Sequence, residues 1–360
     1  MNAKCKENTL KHKRWLSLIV LMLLPISITS SILNYADLSQ INDSKSIEIY
    51  RVIEATVIEN KGSKNISLIN TLGATITYPQ DDIYQKLLSY KVYLNSQELK
   101  VKIREEFNGF IKTAELSDDI VLNPNASANI TIVYDMIVVT NRTAPRNILR
   151  PSTPSQPIKR YKEFTKATSL WNYTNPLIML LTDYLKSRSK NQIEYIIKSI
   201  EWISNKIVYE TRIPPRHPAE LLIEFRGDCD DQANLLITLL RCANIPAITE
   251  QGLVIIKGAS FKGEAANGYL KYDLRNAGPH GWVKAQMPDG TWIAIDLTFA
   301  YGSKDPLDKI LLAAYYTFPV IVTNRIYKED YVTEGTTMLK DIEENKVMIT
   351  YIVKVVPLKQ

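Results

Sequence analysis

A cysteine set between aspartates, Arg226-Gly227-Asp228-Cys229-Asp230-Asp231-Gln232-Ala233, opens an apolar run with helical spacing, Asn234-Leu235-Leu236-Ile237-Thr238-Leu239-Leu240. The Asp228 side chain can cap the free N–H groups of the first turn, which puts the Cys229 thiol near the positive end of a helix dipole. A thiolate is favoured there. The neighbouring aspartates oppose it, so thiol chemistry at this position also requires a nearby imidazolium. By itself the octet fits a buried structural cysteine equally well.

The partners that thiol catalysis needs lie further on. Pro288-Asp289-Gly290 separates two runs, Pro279-His280-Gly281-Trp282-Val283-Lys284-Ala285-Gln286-Met287 and Thr291-Trp292-Ile293-Ala294-Ile295-Asp296-Leu297-Thr298. Asp-Gly between alternating runs signals a hairpin, so the two strands are expected to be antiparallel neighbours with His280 and Asp296 close across the ladder. The register is not set to one residue by the sequence. A histidine so placed can take the proton from Cys229 and return it to a leaving group. An aspartate on its other nitrogen can orient the ring and stabilise the imidazolium.

The elements that must position these groups follow the hydrophobic periods. Pro176 to Leu185 reads as one helix and Gln192 to Ile207 as an amphipathic second, with isoleucines at 193, 196, 197, 200, 203 and 207. The Cys229 helix ends near Asn244, with Pro246 as a stop. Gly252–Ile256 reads as a strand and 258–268 as a Gly-containing loop. Trp202, Tyr209, Trp282 and Trp292 are read as packing residues, and His217, in the turn Pro214-Pro215-Arg216-His217-Pro218, as a solvent-exposed loop histidine. Lys309–Val322 reads as core and Lys346–Val356 as a final strand.

Upstream the pattern is β. Alternating runs such as Ile47–Ile53, Ala74–Tyr78 and Ile130–Tyr134, punctuated by Asn60-Lys61-Gly62-Ser63 and Asn123-Pro124-Asn125, suggest an antiparallel sandwich over 34–142. The prolines at 145, 151, 154 and 157 make 143–160 a linker or extended connector, the best boundary in the chain, with a second domain over 161–360.

The first 14 residues carry five basic side chains against one acid, a basic tail expected to stay in the cytoplasm, and residues 15–33 carry no charge. Nineteen residues at about 1.5 Å each reach about 28 Å, close to the apolar thickness of a bilayer. The stretch reads as an uncleaved membrane anchor or a cleaved signal peptide; its length favours the anchor and its polar run Ser27–Ser31 favours cleavage. Both readings put the bulk of the protein outside the cytoplasm. N-glycosylation sequons at Asn42, Asn65, Asn125, Asn129, Asn141 and Asn172, with none later, fit an exported N-terminal half. Cys229 and Cys242 sit about 20 Å apart on one helix, too far for a disulfide. Cys229 is therefore expected to be a free thiol, and Cys242 a small core residue.

With 360 residues and 45% hydrophobic content the chain can build real cores. Its net charge of +6 comes partly from the basic tail and does not point to nucleic acid. No zinc-ligand spacing, P-loop or dinucleotide fingerprint is present, so no metal or cofactor is expected.

The order Cys, His, Asp, in the contexts Gly-Asp-Cys-Asp-Asp-Gln-Ala, His-Gly-Trp-Val and Asp-Gly-Thr-Trp-Ile-Ala-Ile-Asp-Leu-Thr, resembles the transglutaminase-like superfamily, as does Leu-Leu-Arg-Cys-Ala-Asn-Ile-Pro-Ala after the nucleophile helix. The strong resemblance covers roughly 190–300. It implies an α+β fold with a papain-like core, a helix bearing the cysteine packed on an antiparallel sheet, preceded by the β-sandwich. It also implies Cys229 as nucleophile, His280 as base and acid, and Asp296 as orienting acid. Two positions depart from the family pattern: Lys284 stands where Glu is frequent, and Leu297 where Pro is common. The expected function is an extracytoplasmic thiol enzyme acting on amide bonds of proteins or peptides, by hydrolysis or by acyl transfer to an amine. The alternative is an inactive cell-surface binding module of the same fold.

Overall fold

The structure is a computed structural model that describes residues 46–68, 75–140, 142–144, 159–300 and 302–358. The basic tail, the apolar stretch 15–33 and most of the Pro-rich segment lie outside the described residues. Among the described residues no helix is long and apolar enough to cross a membrane.

The fold is mixed, with helices packed on a mostly antiparallel sheet. Its strands are β1 (Ile47–Asn60), β2 (Gln85–Leu94), β3 (Gln97–Leu99), β4 (Val101–Glu106), β5 (Ile111–Leu116), β6 (Ser127–Val139), β7 (Ala247–Ala265), β8 (Leu270–Gln286), β9 (Trp292–Ile295), β10 (Val320–Ile326) and β11 (Val347–Leu358). The longer helices are α1 (Pro176–Lys186), α2 (Gln192–Lys206), α3 (Pro218–Glu224), α4 (Cys229–Cys242) and α5 (Tyr331–Glu344).

The helix limits follow the expected period and caps. Asn175 and Asn191 accept from the second and third residues of α1 and α2, satisfying N–H groups that have no partner inside the helix. The buried positions Ile196, Ile200 and Ile203 of α2 fall on one face.

The N-terminal region is antiparallel as expected, with β1 paired to β6 and β6 to β2. It does not form a sheet of its own. The C-terminal strand β11 pairs antiparallel with β1 on one side and parallel with β8 on the other. One sheet results, in the order β10-β7-β8-β11-β1-β6-β2-β3, with β9 added on β8. A smaller sheet of Thr75–Ile76, β5 and β4 shares the apolar core of this large one. Where β1, β6 and β11 meet, Glu54 is buried and accepts from Tyr134 Oη at 2.8 Å and Tyr351 Oη at 2.9 Å. The alternating pattern of β11 is visible in the sequence, but its pairing across nearly 300 residues is not.

The segment 258–268, expected as a loop, is largely strand. β7 runs on to Ala265 through a register shift between Ile255 and Ser260, where Gly258 takes a positive φ. A bulge of this kind bends the strand while keeping it in the ladder.

A second core lies between α1, α2, α4 and the sheet, with Trp171, Leu235, Leu236, Leu239 and Val283 fully buried. Arg241, from the family-like run at the end of α4, is buried here as well. It donates to the backbone oxygens of Ala247 (2.9 Å), Tyr327 (2.9 Å) and Lys166 (3.1 Å) and stacks on Trp171 at 4.1 Å. One guanidinium thus ties the helix to β7, to the segment after β10 and to the chain entering the domain. Arg241→Ala removes these bonds and opens a cavity, so stability to denaturant is expected to fall by about 3 kcal/mol or more. An unchanged unfolding midpoint would show that the guanidinium is not the tie.

Candidate active site

Cys229 is the first residue of α4, as the cap pattern predicts. Asp228 is the cap: its Oδ1 accepts from the N–H groups of Asp230 (3.2 Å) and Asp231 (3.4 Å). Asp231 Oδ2 accepts in return from the Asp228 N–H at 3.1 Å, closing a capping box. The box is anchored from outside the helix. Arg216, which is buried, donates its backbone N–H to Asp231 Oδ1 at 2.5 Å and lies 3.3 Å from Oδ2 through Nη1. It also holds Glu224 at 2.6 Å and Glu210 at 3.2 Å. Nothing in the local sequence marks Arg216 for this role, which follows from the burial of Asp231, a carboxylate that needs a cation or donors once out of water.

Gly227 is required by packing. A Cβ there would lie 2.6 Å from Asp231 Cβ and 2.7 Å from Leu221 Cδ1. The short strand Arg226–Gly227 pairs in parallel with Val208–Tyr209, which brings Tyr209 alongside the start of α4. Tyr209 was expected to be a packing residue. Burial raises its hydroxyl far above the ordinary range, and the acidic groups near it at Cys229, Asp228, Asp230 and Asp296 act in the same direction.

His280 and Asp296 are brought together as the hairpin predicts. β8 and β9 pair from Gln286↔Trp292 to Val283↔Ile295, so the ladder ends one residue before Asp296. His280 Nε2 lies 2.8 Å from Asp296 Oδ2, and both side chains are buried. Asp296 also accepts backbone N–H bonds from Phe299 (3.0 Å) and Thr298 (3.2 Å) on Oδ1 and from Ala314 (3.1 Å) on Oδ2. Ala314 opens the one-turn helix Ala314–Thr317, part of the segment that reads as plain core.

Burial alone would raise the Asp296 carboxyl, but the His280 imidazole and these donors bring it below its ordinary range. An ionised carboxylate only accepts, so the His280 proton resides on Nε2 and Nδ1 keeps its lone pair. Burial disfavours the imidazolium of His280, yet Asp296 and, behind it, Asp230 raise its proton affinity on balance.

Cys229 reaches this pair through the backbone. It is half-buried and not in a disulfide, and the backbone N–H of Gly281, the residue after His280, is near enough to favour its thiolate. No hydrogen bond joins the sulfur to the imidazole. Burial, then the charges of Asp230 and Asp228, push the thiol well above its ordinary value. Burial and, after it, these carboxylates favour the protonated thiol at Cys229.

Lys284, which stands where the family frequently has Glu, lies 3.4 Å from Glu250, a buried carboxylate that Arg325 reaches at 2.8 Å and the Trp282 indole N–H at 2.9 Å. Two other expectations change. His217 is not a free loop histidine: it caps α3, and its Nε2 lies 3.2 Å from Asp330, the cap of α5. Cys242 is half-buried at the end of α4, where its carbonyl accepts from Lys186 Nζ at 3.1 Å, and is not a core residue. Among the described residues no group of three His, Cys, Asp or Glu side chains is arranged to hold a metal ion.

Residues 181–297 match the model of the transglutaminase-like superfamily. This part of the chain is a transglutaminase-like domain. It contains α4, β8 and β9, and hence Cys229, His280 and Asp296. Among solved structures, one described as "a putative cysteine protease" from Cytophaga hutchinsonii superposes with a TM-score of 0.56 at 13% identity. The match covers 88% of this chain and 93% of that one, so the shared fold extends beyond the transglutaminase-like domain to the N-terminal strands. The periplasmic domain of TgpA from Pseudomonas aeruginosa, solved with ethylmercury, matches at 13% identity over 76% of this chain and 94% of that one. Its TM-score of 0.27 adds nothing to the fold argument. No curated protein sequence matches the chain.

Gly227→Ala is expected to push Asp231 away from Arg216 and lower stability by about 1–3 kcal/mol. A melting temperature equal to that of the wild type would show that the turn into α4 has room to spare.

Proposed function

We propose that the protein is a thiol enzyme that acts on amide bonds of proteins or peptides, with Cys229 as nucleophile, His280 as general base and acid, and Asp296 as the group that orients the imidazole. The observation that supports this most is the buried His280–Asp296 pair at 2.8 Å, next to which the backbone of Gly281 lies near the sulfur of Cys229. With Nε2 occupied by Asp296, Nδ1 is the nitrogen left to take a proton from the thiol.

The chemistry follows from these positions. Nδ1 takes the Cys229 proton as the sulfur attacks a carbonyl carbon. The oxyanion forms near the start of α4, where the Cys229 N–H is a natural donor. His280 then gives its proton to the departing amine, leaving an acyl group on the sulfur. Water releases the acid, and a primary amine in place of water forms a new amide. The Cytophaga protein is described as "a putative cysteine protease", which supports hydrolysis as the first activity to test. Because the resting thiol is neutral, attack and proton transfer occur together and do not start from a preformed ion pair.

The uncharged stretch 15–33 behind a basic tail supports a membrane tether with this domain outside the cytoplasm. The missing Cys229–His280 hydrogen bond favours a second reading, a binding module that has kept the fold and lost the chemistry.

Incubation with a casein-like substrate and a labelled primary amine separates cleavage from transfer. Cys229→Ala is expected to abolish either product. Asp296→Asn should lower kcat by roughly 10²–10⁴ while the protein stays folded, since it disturbs the tautomer on which Nδ1 depends. A fully active Cys229→Ala protein would falsify the enzyme reading.

A further inference from the structure

Gly281 carries only hydrogen, and two polar side chains crowd the space where a Cβ would be. That position collides with Asp230 Oδ1, and Gln251 Cγ lies 3.7 Å from it. Gln251 is the register partner of Gly281 on β7. Both side chains are buried, Asp230 at 6% exposure and Gln251 at 4%.

Gln251 lacks the donor that its burial demands, and among the described residues the neighbouring carboxyl of Asp230 has no donor from the protein. The Asp230 carboxyl accepts no hydrogen bond within the described part of the chain. Gln251 Oε1 is buried without a donor. Asn324, which pairs with Gln251 on β10, does not supply one, since its own Nδ2 is buried without an acceptor. An ionised carboxylate and an amide oxygen are both acceptors only, whereas a protonated carboxyl has an O–H to give. A proton on Asp230 turns it from an acceptor into the kind of donor that Gln251 Oε1 lacks.

We propose that Asp230 is a positioning residue that carries a proton in the resting site, donates it to Gln251 Oε1, and keeps Cys229 reactive only while it stays neutral. This rests on the reading of Cys229 as the nucleophile.

The charges around Asp230 act consistently. From its own helix it faces Asp228 and Asp231, the latter compensated by Arg216. From β8 it faces His280, and from α5 and the strand Val208–Tyr209 the un-ionised hydroxyls of Tyr331 and Tyr209. Asp296, beyond the sulfur, is ionised. Burial and Asp231 bring the Asp230 carboxyl up to about 7, with His280 pulling the other way. Below that pH the proton stays on and Asp230 adds no charge beside the sulfur. Above it the proton leaves to solvent, and the new negative charge opposes the thiolate.

The test is the rate of iodoacetamide alkylation of the full-length protein, read at Cys229 by mass spectrometry. Asn at 230 mimics the neutral carboxyl. Asp230→Asn and wild type should therefore react alike at about pH 5.5, with the variant at least about tenfold faster at about pH 8.5, since one pKa unit is tenfold in thiolate. A rate ratio that does not change with pH overturns the proposal. Should Asp230→Asn fail to fold, a carbon-13 NMR titration of the Asp230 carboxyl in the unaltered protein decides. A midpoint within about one unit of 7 supports the proposal, and one below about 5 overturns it. Gln251→Met, which removes the acceptor, should lower that midpoint; no change overturns the shared proton. Alkylation and titration read the thiol and the carboxyl whether or not the protein turns over a substrate, so failure here is distinct from failure of the enzyme reading.

Discussion

The start of α4 concentrates negative charge in a buried place, and much of the surrounding architecture answers that constraint. Asp228 and Asp231 cap the helix and each other, and Asp231 is held by the buried Arg216. Removing carboxylates from water is costly unless each is bonded or neutralised. The helix dipole covers part of that cost and Arg216 another part. Asp230 is the acid for which no donor remains. The sulfur of Cys229 sits among these groups, and burial and the nearby acids together raise its proton affinity.

The His280–Asp296 pair is held by a separate set of restraints. The hairpin delivers both residues to one end of a ladder, and two connected segments supply backbone N–H groups to the carboxylate. A carboxylate held by several donors has little freedom to rotate, and the imidazole it holds inherits that precision. Gly281 couples the two halves: without a side chain, β8 can approach α4 closely enough for its N–H to lie near the sulfur.

The large sheet gives these parts a rigid base. β8, which carries His280 and Gly281, is paired with β7, β9 and β11, and β11 extends the ladder into the N-terminal strands. The N-terminal region is thus joined to the transglutaminase-like domain by backbone hydrogen bonds as well as by the connecting chain. Arg241 secures α4 to the opposite face through three carbonyl oxygens. The helix that carries Cys229 is fixed at its first turn by Arg216 and at its last by Arg241.

Local features were readable from the residues alone. The capped start of α4, the limits of α1 and α2, the Asp-Gly hairpin and the alternation of β11 depend on neighbours a few positions apart, where propensity, capping and period act directly. The order of Cys229, His280 and Asp296 in family-like contexts belongs with them. Contacts between distant segments were decided only by the tertiary structure. The β1–β11 pairing, the Ala314 N–H on Asp296, Arg216 under Asp231 and Gln251 beside Asp230 leave no periodic trace. Each depends on which strand neighbours which and on how closely two backbones approach. For the same reason the charge on Cys229 could not be read from its helix position: a dipole is a local property, but burial and the balance of surrounding carboxylates are set by the fold.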